Sequence, residues 1–254
     1  MAKLDLNVEE ALKLHQEGRA HELHGTVDSK LVKAAVYGAN DGIITTFAVV
    51  AGVAGAGFSP AIILVLGFAN LIGDGISMGI GDYLGERSED RFKQHQYEIE
   101  KWEIHNIPSE ESKELKHFFK SREVSDEDAK KLSATIQKYP KLWGEMGFLD
   151  EMGELPKKAE KLWQSGVVTI IAFGLAGLLP LLPYIIEALG GSFGEISNFH
   201  LSMVSTALTL FFIGSLRTIV TKGHWWKNGL EMLFIGAIAA AAAYATGAFV
   251  ERLI

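Results

Sequence analysis

Two groups of acidic side chains in this sequence are hard to explain without a cation. The first lies in an apolar stretch, Asn70-Leu71-Ile72-Gly73-Asp74-Gly75-Ile76-Ser77-Met78-Gly79-Ile80-Gly81-Asp82. Asn70, Asp74, Met78 and Asp82 recur every fourth residue, so on a helix they form one slowly turning stripe. The stripe offers oxygen ligands and one thioether, and Asp41 adds a further carboxylate from the preceding apolar stretch. An aspartate at the centre of a bilayer costs ~2.5–3.5 kcal/mol on insertion scales. Without a counter-charge it either takes a proton or finds a cation. The plain alternatives are an interfacial position for Asp82, capping or an inter-helix hydrogen bond for Asp74, and packing for Met78. The whole stripe together with Asp41 points to a cation path.

The second group is soluble in character. Glu100 and Glu103 stand at i,i+3, as do Glu111 and Glu114, with Asn106-Ile107-Pro108 between the pairs. A turn at Pro108 folds the flanking helices into a hairpin and brings both pairs to one end. Like charges at that range repel, so four clustered carboxylates make sense if a divalent cation neutralises them. Glu145, Met146, Asp150, Glu151, Met152 and Glu154, further along, could complete the shell. Any one Glu-x-x-Glu is ordinarily a solvated face, and Lys101, Lys113 and Lys116 are near enough in sequence to pair with these groups. Glu114-x-x-His117 matches half of a di-iron carboxylate pattern, but no second Glu-x-x-His exists, which argues against an oxidase. His21-x-x-His24 could hold a metal or simply face solvent. No Walker loop, HExxH or Ser/His/Asp constellation is present, so the expectation is a protein that is not an enzyme.

The elements that position these groups follow from the charge distribution. Of 55 charged residues in 254, 33 lie in residues 86–163, and most of the remainder is nearly uncharged. Apolar runs at about 31–57, 60–84, 166–189, 198–220 and 229–250 are each long enough for a bilayer, which needs ~20 residues. The expected fold is therefore all-α and integral to a membrane: five transmembrane helices with a helical insert between spans two and three. The divisions are 1–29 (N-terminal segment), 30–85 (spans one and two), 86–163 (insert) and 164–254 (spans three to five). Ser59-Pro60 reads as the start of span two, and Glu86-Arg87-Ser88-Glu89 continues that helix into water without a break. Ser109 and Ser125 read as N-caps of the next two helices, and a further stretch after Tyr139-Pro140 is interrupted near Gly153 and Pro156.

Lysine and arginine placement sets the expected orientation. The turn at 55–60 and the loop at 188–197 carry none, whereas residues 1–33 carry five. Arg87, Arg91, Lys93, Lys157, Lys158 and Lys161 flank the insert, and Arg217, Lys222 and Lys227 flank the loop before span five. These share one side if the N-terminus and residues 86–163 are cytosolic, with the C-terminus and Arg252 opposite; Trp225-Trp226 suits an interfacial belt. The N-terminus shows no signal-peptide pattern. The absence of cysteine excludes thiolate chemistry, disulfides and Fe–S clusters. A net charge of −7 disfavours nucleic acid as a partner.

Asp41-Gly42 with residues 43–52 (IITTFAVVAG), the block at 75–85 (GISMGIGDYLG), the charged insert, and Pro180 and Pro183 in span three resemble the vacuolar iron transporter family over about residues 30–254. The resemblance implies a homodimer of five-helix subunits with a metal path along the two-fold axis, exporting Fe²⁺ from the cytosol in exchange for protons. It matches Asp41 and Met78 to the metal path, and Glu100, Glu103, Glu111, Glu114 and Glu151 to the cytosolic metal-binding glutamates. Asn70 stands where characterised members carry glutamate, a departure that bears on coupling. The family's methionine pair is not reproduced cleanly, Met146 and Met152 being separated. The expected function is proton-coupled export of Fe²⁺, with Mn²⁺, Co²⁺ and Zn²⁺ as further cargo and no prosthetic group. The alternative is a membrane-anchored metal-binding or sensing protein without transport.

Overall fold

The computed structural model describes residues 8–18, 29–156, 162–218 and 223–253. His21 and His24, and the basic residues Lys157, Lys158, Lys161 and Lys222, lie outside them. The described elements are helical: α1 (Val8–Gln16), α2 (Ser29–Gly55), α3 (Pro60–Asn106), α4 (Pro108–Lys120), α5 (Asp126–Ile136), α6 (Pro140–Met152), α7 (Trp163–Leu178), α8 (Leu182–Ala188), α9 (Asn198–Leu216) and α10 (Trp225–Glu251). Five stretches are long and apolar enough to cross a membrane: Lys30–Gly55, Pro60–Asn106, Trp163–Ala188, Asn198–Leu216 and Trp225–Glu251. The chain is a multi-pass membrane protein. At 47 residues against the ~20 that a bilayer needs, α3 is far longer than a span, and its charged second half accounts for the excess.

The described residues fall into two compact units, Met1–Asp82 with Trp163–Ile254, and Tyr83–Leu162. In the first, α2 is the central helix, packed against α7, α9 and α10. Phe47, Val50 and Val53 of α2 share a buried cluster with Ile63 and Leu71 of α3, Phe173 of α7, and Leu181 and Tyr184. Glycine permits the close approach. A methyl group at Gly42 would lie 2.3 Å from the Phe173 carbonyl oxygen, and one at Gly247 of α10 only 1.9 Å from that of Gly52. Of the α3 glycines, Gly75 and Gly79 face Phe173 and Ile170, while Gly73, Gly81 and Gly85 face open space. The stretch from Trp163 to Ala188 is broken by a 3₁₀ turn at Leu179–Leu181, because Pro180 and Pro183 withdraw backbone donors. The Pro180 carbonyl is fully buried and accepts the Ser202 hydroxyl of α9 at 2.6 Å.

In the second unit, the charged half of α3 packs with α4, α5 and α6. Leu115, Ala129, Trp143 and Phe148 are buried, and Tyr97 meets Phe148 edge-on at 5.3 Å. Lys93 is buried and bridges Glu89 (2.7 Å) and Glu154. Ser125 caps α5, its hydroxyl accepting from the Asp128 amide at 3.2 Å. Ser109 does not cap α4. That helix begins at Pro108, with Ile107 in the cap position and no side-chain cap; proline is pre-set for the first helical position, which places Ser109 inside the first turn and not ahead of it. Gly153 closes α6 in the left-handed region (φ 76°), where glycine is unstrained.

Valine at Gly42 or Gly247 must push backbone apart, at a cost of at least about 1–3 kcal/mol. Thermal melting in detergent should show either variant strongly destabilised, and Gly73→Ala close to wild type.

Candidate metal-binding sites

Four of the insert glutamates meet at one cavity. Glu100 from the end of α3, Glu111 and Glu114 from the first turns of α4, and Glu151 from the end of α6 line a space of about 510 Å³, with Met146, His117 and the apolar wall of Leu115 and Trp143. The hairpin at Ile107-Pro108 brings the two pairs together; the Ile107 amide closes onto the Glu103 carbonyl at 2.8 Å. Glu103 lies off the cavity lining, yet its charge reaches Glu100, Glu111 and Glu151. Met146 lines the cavity and Met152 does not.

Lys113 and Asp150 also line this cavity, each in an ion pair with another residue, and the four glutamates are left uncompensated. Lys101 pairs with Glu98, Lys113 with Glu110, Lys141 with Glu145, Arg122 with Asp150, and Lys93 with Glu89 and Glu154. Among the described residues, none of Glu100, Glu103, Glu111, Glu114 and Glu151 has a basic partner or a side-chain hydrogen bond. Glu145, Asp150 and Glu154, candidate shell members by sequence, are instead held in ion pairs. Glu100 and Glu111 are each only 5% exposed, and Glu100 Oε1 is buried with no hydrogen-bond partner. Burial first, and then the neighbouring carboxylates, push Glu100 and Glu111 up to about 7 and raise Glu151 as well. Mutual repulsion keeps these groups apart: among the described residues no three His, Asp or Glu side chains converge tightly enough to cage an ion unaided. The Trp143 and Leu115 wall was not singled out from sequence, although it lowers the local dielectric and so amplifies the repulsion.

In the membrane unit, Asp41 of α2 and Asp74 of α3 are near enough for their charges to interact. Asp41 is half-buried and Asp74 exposed on its helix. Asn70 donates to the Thr45 hydroxyl at 3.3 Å, and Thr45 in turn donates to the Asp41 carbonyl at 2.8 Å, so Asn70 is tied to the turn that carries Asp41. Met78 is half-buried against the Phe47–Phe173 cluster. Asp82 accepts from Thr169 of α7 at 3.3 Å, an inter-helix bond that the sequence suggested for Asp74 and not for Asp82. Among the described residues no basic side chain pairs with Asp41, Asp74 or Asp82.

The raised values carry a pH signature. A folded-state value above the ordinary 4.5 contributes stability at pH below about 4.5 that is lost as pH rises through about 7. With chelator present, the whole chain in detergent should melt lower at pH 8 than at pH 5.5, and Glu100→Gln should raise the pH 8 value and flatten the difference. Mn²⁺ should restore stability at pH 8 and do little at pH 5.5, because the ion and the protons compete for the same oxygens.

A family model described as the VIT family matches residues 32–248. Among curated relatives, a vacuolar iron transporter from Toxoplasma gondii is 32% identical, the match covering 96% of this chain and 83% of that protein. One from Plasmodium falciparum is 28% identical, with 95% and 88% covered. Vacuolar iron transporter 1 of Arabidopsis thaliana is 29% identical, with 91% and 90% covered. With the motifs around Asp41 and Met78, the helical insert and nearly the whole of the five apolar helices inside the matched region, the chain belongs to the VIT family of vacuolar iron transporters.

Proposed function

We propose that this protein moves Fe²⁺ out of the cytosol across a membrane in exchange for protons, with Mn²⁺, Co²⁺ and Zn²⁺ as further cargo. The observation that carries the reading is the Asp41–Asp74 pair, two interacting carboxylates on apolar helices with no basic partner among the described residues. Such a pair is costly unless a passing cation or a proton neutralises it. The names of the relatives supply iron as the cargo. The insert glutamates capture the ion and raise its concentration near the path. Protonation of the aspartates from the far side then weakens their hold on the ion and frees it. Met78 and Met146 add soft ligands that Mg²⁺ and Ca²⁺ use poorly.

The side of capture follows from the basic residues: the N-terminus and residues 86–163 are cytosolic, and the C-terminus is opposite. A homodimer accounts for the uncovered stripe. Asp74 is exposed on an otherwise apolar helix surface that includes Ile72, Ile76 and Ile80, and a second copy of α3 against it would complete a shared path.

The unpaired glutamates alone favour a second reading, a membrane-anchored metal-binding protein without transport. Proteoliposomes separate the two. Wild type should accumulate Fe²⁺ under an imposed pH gradient, and Asp41→Asn should slow that flux at least about tenfold while leaving ion binding by the insert intact. Glu111→Gln should raise the half-saturating Fe²⁺ concentration more than it lowers the maximal rate. Binding without flux in the wild type would establish the second reading.

A further inference from the structure

The structure assigns to Gly147 the role of a positioning residue that sets where the Glu100 carboxylate stands in the capture cavity. The inference rests on the reading of that cavity as a divalent-cation site. Helix α6 carries two interior glycines, Gly144 and Gly147, each costing ~1 kcal/mol relative to alanine. They are not equivalent. A Cβ at Gly144 would meet Ile104 Cδ1 at 3.4 Å and Tyr97 Cε2 at 4.0 Å, which is ordinary contact. A Cβ at Gly147 would fall 2.0 Å from Glu100 Oε1 and 2.9 Å from its Cδ.

The carboxylate of Glu100 therefore occupies the volume where any other residue at 147 would carry its first side-chain carbon. Glu100 is 5% exposed and its Oε1 has no hydrogen-bond partner, so the fit does not come from polar bonding. Contact with the glycine backbone seats it beside Glu111, Glu114 and Glu151. The atom in the way is the far end of a flexible side chain, not backbone. Alanine at 147 leaves α6 intact, and even raises its helix propensity, but swings the carboxylate away from its seat. Gly147 thus governs the arrangement of oxygens offered to an ion without touching the ion itself.

Mn²⁺ binding to the purified full chain, read by calorimetry at pH 7.5 alongside thermal melting, tests this. Gly144→Ala should bind Mn²⁺ as wild type does. Gly147→Ala should melt within a few degrees of wild type yet bind about tenfold more weakly. Glu100→Asp, one methylene shorter, should weaken binding alone but recover part of the lost affinity when combined with Gly147→Ala, because the shorter side chain clears the new methyl group. Wild-type affinity in Gly147→Ala would overturn the role, as would a collapse in its melting temperature with no rescue by Glu100→Asp. A folded wild type that binds no Mn²⁺ would instead remove the cavity's assignment as a cation site, and this inference with it.

Discussion

Negative charge without a partner is the constraint on which the molecule turns. Basic side chains are plentiful in the insert, yet Lys101, Lys113 and Lys141 reach acids on their own helices. Of the acids lining the cavity, Glu100, Glu111, Glu114 and Glu151 are left without a basic partner among the described residues. Its apolar walls, Leu115 and Trp143, lower the local dielectric around the buried Glu100 and Glu111. In the membrane unit the same imbalance recurs at Asp41 and Asp74 with even less polar surroundings. Folding energy is given up in both places, which is the usual mark of a site shaped for a ligand rather than for stability.

Packing in the membrane unit rests on a different device. Apolar side chains have no solvent to flee inside a bilayer, so close backbone approach has to hold the helices together. Helix α2 achieves it by presenting Gly42 to α7 and Gly52 to α10. These contacts pack α2 closely on both neighbours, and Asp41 stands immediately before the close approach at Gly42. Asn70 then ties α3 to the same turn through Thr45. In the proposed path, an aspartate set on so closely packed a helix would need little reordering to meet an ion.

Much of this was legible in the sequence where one residue type decides the outcome. Hydropathy located five spans, the uninterrupted pattern after Asp82 predicted that α3 would run on to Asn106, and Pro108 predicted the hairpin that joins Glu100 and Glu103 to Glu111 and Glu114. Pairing choices were not legible. By position alone Asp150 and Glu154 looked as suitable as Glu151, which only the family resemblance singled out, and the fold shows that Arg122 and Lys93 take them. Ser109 looked like a cap because serine so often is one, but Pro108 starts the helix one residue earlier and leaves Ser109 within its first turn. The demand on Gly147 was invisible because it arises from a side chain 47 positions away.

One feature of span three bears on how the bundle can move. Prolines usually loosen a helix by leaving carbonyls free, and a free carbonyl in lipid seeks any donor it can reach. At Pro180 that donor is the Ser202 hydroxyl, and both groups are sealed from solvent. Sliding α9 along this bend by even one turn would break that buried hydrogen bond. The break that could have been a flexible elbow is accordingly latched, and relative motion among the helices must find its play elsewhere.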